Sequence, residues 1–497
     1  MARIQISHLT FAYDGSPDLI FDDASFQIDT DWKLGFVGRN GRGKTTLLRI
    51  LMGELDDHGA VSSPVQFDYY PIPIAEKQKT PLELASEYDD EGQIWRFLKE
   101  ISCLDIEEEI LDRPFSTLSG GEQAKVLLAM LFSKEHHFLL IDEPTNHLDY
   151  AGRQVVSQYL NGKKGFILVS HDRAFLDGCV DHILSINKAD IEVQKGNFSS
   201  WEENKRRQDQ FEIEKNDRLK KDIRRLKDAA RRMSDWSDAV EATKIGNGPC
   251  DRGAIGAKAA KMMRHSKAVE TRRNRDIEEK EKLLKNIDYA EDLKLFPLRH
   301  PANRLVEMKD VSLVFGEREI FSHLSFSITN GQRIALMGKN GSGKSSILRL
   351  ITGENTPSSG EVRLASNLII SIVPQQADLS GRLRDFIAES NIDETLFKTI
   401  LRKLDFSREQ FEKDMGDYSA GQKKKVLIAR SLSQSAHLYL WDEPLNYIDV
   451  LSRMQIERLI SQFRPTMLLI EHDKRFIEQI NAEIVDLSCK NLKENEG

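Results

Sequence analysis

Gly38-Arg39-Asn40-Gly41-Arg42-Gly43-Lys44-Thr45 is the stretch on which the reading of this chain turns. Its spacing, GxxxxGK[ST], is that of a phosphate-binding loop. The glycines let backbone N–H groups turn inward around phosphates, the lysine reaches the outer phosphates, and the hydroxyl suits Mg²⁺. A short apolar run, Leu34-Gly35-Phe36-Val37, precedes it, and Thr46-Leu47-Leu48-Arg49-Ile50-Leu51 follows. That is the strand–loop–helix setting the motif needs. The loop recurs as Gly338-Lys339-Asn340-Gly341-Ser342-Gly343-Lys344-Ser345, between Ile334-Ala335-Leu336-Met337 and Ser346-Ile347-Leu348-Arg349-Leu350-Ile351. Candidate phosphate-binding residues are therefore Gly38, Asn40, Gly41, Gly43, Lys44, Thr45 and Thr46, and their twins Gly338, Asn340, Gly341, Gly343, Lys344, Ser345 and Ser346.

The repeat extends outward. Leu118-Ser119-Gly120-Gly121-Glu122 returns as Tyr418-Ser419-Ala420-Gly421-Gln422, and Asp142-Glu143-Pro144 as Asp442-Glu443-Pro444, each 300 residues on. His171 returns as His472, 301 residues on. One offset shared by independent motifs means a duplicated domain. The expected division is 1–198, 199–300 and 301–497.

The middle segment is rich in charge. Over 218–275 there are 17 Lys/Arg against 7 Asp/Glu, about +10, while the whole chain carries −8, leaving about −18 for the rest. Such a segment either meets a polyanion or is a solvated helical face, and charge alone does not choose. Leu219, Ile223, Leu226, Ala230, Met233, Trp236 and Val240 follow one another in steps of four or three, a helical seam. Breakers gather at Gly246-Asn247-Gly248-Pro249 and Gly253. The pattern predicts two long antiparallel helices with a tip near 244–256. The predicted fold is α/β: two tandem P-loop NTPase domains joined by a long antiparallel α-helical hairpin.

Composition narrows the class. The 497 residues are 40% hydrophobic and 30% charged, without a run near the ~18 apolar residues of a membrane span. No signal-peptide pattern opens the chain. The four cysteines lack CxxC spacing, against a zinc or iron–sulfur site and in keeping with a reducing cytosol.

Each half has a second chemical centre. Phe138-Leu139-Leu140-Ile141 ends in Asp142-Glu143, and Leu438-Tyr439-Leu440-Trp441 ends in Asp442-Glu443. Four apolar residues read as a buried parallel strand. The first carboxylate can orient Mg²⁺ and the second can polarise an attacking water.

The LSGGE-type signature, DEPTNHLD (142–149) and the SHDR run (170–173) resemble the ATP-binding cassette superfamily, and the resemblance covers both halves. Two cassettes around a charged helical linker resemble its ABC-F class of ribosome-binding ATPases. Arg113–Gly121, Gly253-Ala254-Ile255-Gly256-Ala257, Trp441-Asp442-Glu443-Pro444-Leu445-Asn446 and Phe11-Ala12-Tyr13-Asp14 are similar to the Lsa-type antibiotic-resistance members. The resemblance implies ATP and Mg²⁺. Tyr13 and Phe315 would stack on adenine, or serve only as edge-strand aromatics. Gln375 would join Thr45, Asp142, Ser345 and Asp442 around the metal, whereas Ile72 stands where the first cassette should have its glutamine. Glu143, Glu443, His171 and His472 would be catalytic. The cassettes would close head to tail, an intramolecular dimer within a monomer. Ser119, Gly120, Gly121 and Glu122 would then cap the second loop's ATP, and Ser419, Gly421 and Gln422 the first's. Ala420, Tyr447 and Glu471, in place of Gly120, His147 and Ser170, make unequal turnover an open question.

Lys44 to Ser119 and Lys344 to Ser419 both span 75 residues, so no extra arm is expected in the first cassette, and the few residues after Ser488 hold no basic coil. The implied partner is the bacterial ribosome, its 23S rRNA and P-site tRNA, with no membrane and a cytoplasmic location. Arg224, Arg225, Arg231, Arg232, Lys244, Ile245, Asn247, Cys250 and Arg252 are the candidate contacts. By resemblance the hairpin displaces lincosamides, streptogramin A and pleuromutilins, either by overlapping the drug or by deforming its pocket. The rivals are a housekeeping translation factor, the ATPase motor of a drug exporter and, more weakly, a DNA-repair ATPase.

Overall fold

The computed structural model describes residues 2–13, 19–56, 58–88, 93–134, 136–186, 191–242, 293–316, 318–338, 341–407 and 409–487. They fall into two compact units, 1–199 with 290–497, and 200–289. The expected tip and second arm helix, with Lys244, Ile245, Asn247, Cys250 and Arg252, lie outside the described residues, as does Asn340.

The first cassette opens with β1 (Arg3–Phe11) and β2 (Phe21–Asp29). β3 (Lys33–Val37) then runs through the glycine loop into α1 (Lys44–Leu51). β4 (His58–Ser62), β5 (Gln66–Tyr70), α2 (Pro81–Tyr88) and α3 (Ile94–Cys103) lead to the signature helix α4 (Gly120–Ser133). After it come β6 (His137–Asp142), α5 (Tyr150–Asn161), β7 (Phe166–Val169), α6 (Arg173–Cys179), β8 (His182–Ile186) and β9 (Ile191–Lys195). β2-β1-β4 form an antiparallel sheet, and β5-β6-β7-β3-β8-β9 a second sheet, parallel except for β8–β9.

In β1 the buried positions shift phase, from Ile4 and Ile6 to Leu9 and Phe11. Side chains alternate with period two, so an extra residue is needed to reset the face. The register jumps between Ile6 and Leu9, and His8 there takes φ 54°. Asp310 does the same in the second copy, at φ 54°. The two sheets enclose a core in which Ile4, Phe36, Leu47, Leu140 and Val169 pack together.

α7 (Phe198–Ala242) is a continuous helix of 45 residues, about 68 Å at ~1.5 Å per residue. Arg224 and Arg225 on it are exposed.

The second cassette repeats the plan with β10 (Arg304–Phe315), β11 (Arg318–Thr329), β12 (Arg333–Met337), α8 (Lys344–Thr352), β13 (Ser359–Leu364) and β14 (Ile370–Val373). It continues through α9 (Leu383–Glu389), α10 (Glu394–Lys403), signature helix α11 (Ala420–Ser433), β15 (Leu438–Asp442), α12 (Val450–Phe463), β16 (Met467–Ile470), α13 (Lys474–Gln479) and β17 (Glu483–Asp486). Its parallel sheet is ordered β14-β15-β16-β12-β17. β7, β15 and β16 are buried at every residue, as strands covered on both faces must be. In each sheet one central strand ends at the phosphate loop, a neighbour ends at the buried histidine, and the next ends at the Asp-Glu pair. No helix among the described residues is long and apolar enough to cross a membrane.

Candidate functional site

The glycine loops are built by backbone freedom that side chains lack. Gly41 and Gly43 take φ 80° and 89°, and a Cβ on Gly43 would lie 2.4 Å from the Ile20 side chain. Gly343 repeats this against Ile320, also at 2.4 Å. Lys44 Nζ donates to the Gly38 and Arg39 carbonyls at 2.7 and 3.1 Å, and Lys344 Nζ to Gly338 at 2.8 Å. Each ammonium is thereby held across the mouth of its own loop.

The first site is a cavity of about 620 Å³ drawn from both cassettes. Asn40, Gly41 and Gly43 to Thr46 form its floor, and Tyr13 and Ile20 one wall. Ser419, Ala420, Gly421 and Tyr447 of the second cassette close it. Asn40 Nδ2 donates to the Tyr447 carbonyl across the interface at 2.8 Å. A Cβ on Gly421 would stand 2.6 Å from that same oxygen, so this position has no room for a side chain, whereas Ala420 beside it is accommodated. The Tyr13 hydroxyl lies 2.9 Å from Thr46 Oγ1, and its ring packs edge-on to Phe11.

The chemistry converges at the end of β6. Thr45 Oγ1 and the Tyr69 hydroxyl both donate to Asp142 Oδ2, at 3.1 and 3.0 Å. Glu143 sits at φ 51°, in the left-handed region that non-glycine residues seldom occupy, and Glu443 repeats it at 45°. His171 Nε2 is 3.4 Å from Glu143 Oε1. Burial, with Asp142 alongside, pushes the Glu143 carboxyl up to about 8, a range suited to a proton acceptor near neutral pH. Burial and the Lys44 charge hold the His171 imidazole well below its usual range, so it is neutral.

The second site, about 430 Å³, takes Gly341, Gly343 to Ser346, Gln375, Glu443 and His472 from its own cassette. Gly120, Asn146, Leu148 and Arg153 come from the first. Gln375 Nε2 and Asn446 Nδ2 donate to Glu443 Oε2 at 2.8 and 2.7 Å, so Gln375 faces the second carboxylate rather than Asp442. Ser345 hydrogen-bonds Asp442. His472 Nε2 is 3.9 Å from Glu443 Oε1, and burial pushes the imidazole down to about 4. Ile320 lines this cavity, while Phe315, at the end of β10, is exposed outside it.

Both signature helices carry a capping box. Ser119 Oγ accepts from the Glu122 amide and Glu122 from the Ser119 amide; Ser419 and Gln422 do the same. With two donors satisfied this way, the remaining first-turn amides, such as those of Gly120 and Gly421, stay available to an anion at the positive end of the helix dipole.

The residues fit Mg²⁺. Among the described residues no three His, Cys, Asp or Glu gather into a protein-only metal site. Each site instead pairs one hydroxyl with one carboxylate, the sparse set Mg²⁺ accepts when phosphates complete its shell. Asp442 Oδ1 and Glu143 Oε1 are buried without a hydrogen-bond partner.

Three groups here were not foreseen from the sequence. β5 pairs with β6 so that Tyr70 opposes Ile141, and β14 with β15 so that Val373 opposes Trp441. Ile72 is therefore the positional match of Gln375, and Tyr69, three residues earlier, supplies the polar contact on that strand. The signal was the polar hydroxyl of a tyrosine in an otherwise strand-like run. Asn446, in the turn after Glu443, orients that carboxylate. Asp405 reaches the first phosphate loop from the second cassette, 3.7 Å from Arg39 and 3.6 Å from Arg42. Nothing in a single sequence pairs residues more than 350 positions apart.

Fold and sites together define a pair of P-loop ATPase cassettes, each lending its signature segment to the cavity at the other's phosphate loop. Residues 21–146 and 321–446 both match the ABC transporter family. The chain belongs to that family and, within it, to the ABC-F class of ATPases. It is 27% identical over 489 residues to the ribosome protection protein VmlR of Bacillus subtilis, covering 95% of this chain and 85% of that protein. It is 25% identical to the energy-dependent translational throttle protein EttA of Haemophilus influenzae, covering 94% and 89%. Among solved structures, the archaeal ribosome recycling factor aABCE1, in complex with the stalk protein aP1, superposes with a TM-score of 0.62. That match is 19% identical and covers 96% of this chain and 87% of that one.

Proposed function

We propose that this ATPase acts on the bacterial ribosome in the cytoplasm. There the segment between its cassettes reaches the 23S rRNA and P-site tRNA and relieves inhibition by lincosamides, streptogramin A and pleuromutilins. The observation that carries the mechanical half of this reading is the first cavity, which Lys44 of one cassette and Gly421 of the other both line. A phosphate chain there is gripped by both cassettes, so binding and loss of ATP set their spacing. The likeness to the protection protein VmlR supports the antibiotic half.

In each site the loop amides and the lysine hold the phosphates, and the opposite signature helix presents its amides to the outermost one. Mg²⁺, held by Thr45 with Asp142 and by Ser345 with Asp442, would neutralise charge on the transferred phosphoryl group. Glu143 and Glu443 orient and deprotonate the attacking water, His171 and His472 stay neutral beside them, and Gln375 steadies Glu443. Tyr13 provides an aromatic face for adenine.

Glu143→Gln with Glu443→Gln keeps the shape and removes the acceptor. We expect ATP binding to persist, hydrolysis to stop, and the protein to accumulate on ribosomes in co-sedimentation. Ordinary ATP turnover in that double variant would refute the assignment. The likeness to EttA favours a second reading, a translation factor without a role in resistance. Drug susceptibility of cells expressing the protein separates the two, since only the first reading predicts protection.

A further inference from the structure

Among the buried positions at which the two signature helices differ, one carries an ionisable side chain. In α11 the fifth residue after the Ser419 cap is Lys424, 4% exposed; in α4 the same position is Ala124. The Lys424 Nζ donates to the carbonyl oxygens of Pro374, Gln375 and Asp442, at 2.9, 3.0 and 3.1 Å. Three acceptors take the three protons of an ammonium. Two of the carbonyls belong to the strand end that carries the Gln375 side chain. The third belongs to the residue before Glu443, and Gln375 itself donates to Glu443.

We infer that Lys424 is a positioning residue for the second nucleotide site. It fastens the Gln375 and Asp442 backbones, the latter just before Glu443, to each other and to the helix whose N-terminus caps the first site. The clip therefore joins the seating of one nucleotide to the carboxylate that works on the other. No such clip runs in the opposite direction, because Ala124 has no group to reach the matching carbonyls of Pro71, Ile72 and Asp142.

A second difference accompanies the first. Glu471, 3% exposed, replaces Ser170, and its carboxylate acts electrostatically on the Lys424 ammonium. In the first cassette Ser170 instead lies 3.3 Å from the Thr145 hydroxyl, and Thr145 is Leu445 in the second. Lysine and glutamate are both absent from the matching positions of the first cassette, but of the cations acting on Glu471 the Arg453 guanidinium is the strongest. A competing account is that Lys424 merely neutralises Glu471, and the two accounts predict different behaviour when both are exchanged.

The inference rests on the assignment of Glu143 and Glu443 as the two catalytic carboxylates. The test isolates each site: Glu143→Gln leaves only the second competent, Glu443→Gln only the first. In the Glu143→Gln background, Lys424→Met should lower kcat about tenfold with the KM for ATP within about twofold, the scale of a missing supporting hydrogen bond. Lys424→Arg, which keeps the donors, should restore most of it. In the Glu443→Gln background the fall should be several-fold smaller.

Lys424→Ala with Glu471→Ser transplants the first cassette's pair and leaves no stranded carboxylate. It should fold and show the same loss as Lys424→Met. Full turnover in this double variant would mean that Lys424 only balances charge, and would overturn the inference. Equal losses in both backgrounds would overturn it too. Amide hydrogen exchange of the 374–377 and 443–446 segments, with Mg-ATP present, gives a readout that needs no turnover. Faster exchange in the transplanted variant supports the clip, and unchanged exchange refutes it, including where the Glu143→Gln background proves silent. If Glu143→Gln/Glu443→Gln still hydrolyses ATP, the catalytic assignment has failed, and exchange still reports on Lys424 by itself.

Discussion

At the scale of single residues, the sites depend on what is missing as much as on what is present. Gly421 faces the Tyr447 carbonyl so closely that a methyl group cannot fit. We expect Gly421→Ala to hold the second cassette off the first phosphate loop and to lower turnover at that site by about tenfold or more, since its amides no longer reach the phosphate. Ala420→Gly, by contrast, should be nearly silent. Steady-state ATPase assays in the Glu443→Gln background read both. His472 makes a pH prediction. Burial lowers its folded-state pKa to about 4, against ~6.5 when unfolded, so between these values the unfolded chain binds the extra proton. Its contribution to stability is fully present above pH ~6.5 and is lost as pH falls toward about 4, by up to about 3 kcal/mol. His472→Gln should flatten that part of the curve. Comparing the two proteins' urea midpoints from pH 7 to 4 isolates it from the opposite pull of Glu471, whose carboxyl burial pushes up to about 8.

At the scale of elements, strand ends carry the chemistry and helix starts carry the anion sites. The same rule explains why the motifs were readable: each lies at a junction where an apolar run stops and a polar or glycine run begins. α7 is different. It is long and highly charged, and its function is a matter of what its basic residues meet. Replacing Arg224, Arg225, Arg231 and Arg232 with Glu should weaken ribosome binding and reduce the steepness of its salt dependence, by roughly one unit of log–log slope for each phosphate left without its arginine. The ATPase of the free protein should change little. Ribosome co-sedimentation at several salt concentrations measures this, and unaltered affinity at all of them would return the basic face to a solvated role.

At the scale of the whole molecule, the cassette interface is held by charges that local sequence does not pair. Arg173, at the start of α6, donates to both oxygens of Glu457 on α12, and both side chains are buried. Their counterparts by position, Lys474 and Ser157, do not form such a pair: Lys474 lies against Glu478 of its own helix. Removing one partner of a buried pair costs about 3–5 kcal/mol, whereas replacing both with apolar residues is often tolerated. Arg173→Met should therefore lower the unfolding temperature and weaken ATP-driven closure. Arg173→Met with Glu457→Met should recover most of both. A double variant no better than the single would mean the pair is needed for its charge.

The sequence by itself determined the duplicated architecture, the two phosphate loops, the carboxylate pairs and the histidines. Each of these is written locally, in residues a few positions apart whose roles follow from backbone freedom, strand burial or helix capping. It also carried the asymmetries at Ala420, Tyr447 and Glu471, but not their meaning. The tertiary structure decided which group touches which. It aimed Gln375 at Glu443, brought Tyr69 to Asp142, left Phe315 outside its cavity, and set Asp405, Gly421 and Tyr447 against a loop hundreds of residues earlier. The reason is physical: the fit between the cassettes depends on how two finished cores dock, and no local periodicity or spacing encodes the distance between surfaces that meet only after folding.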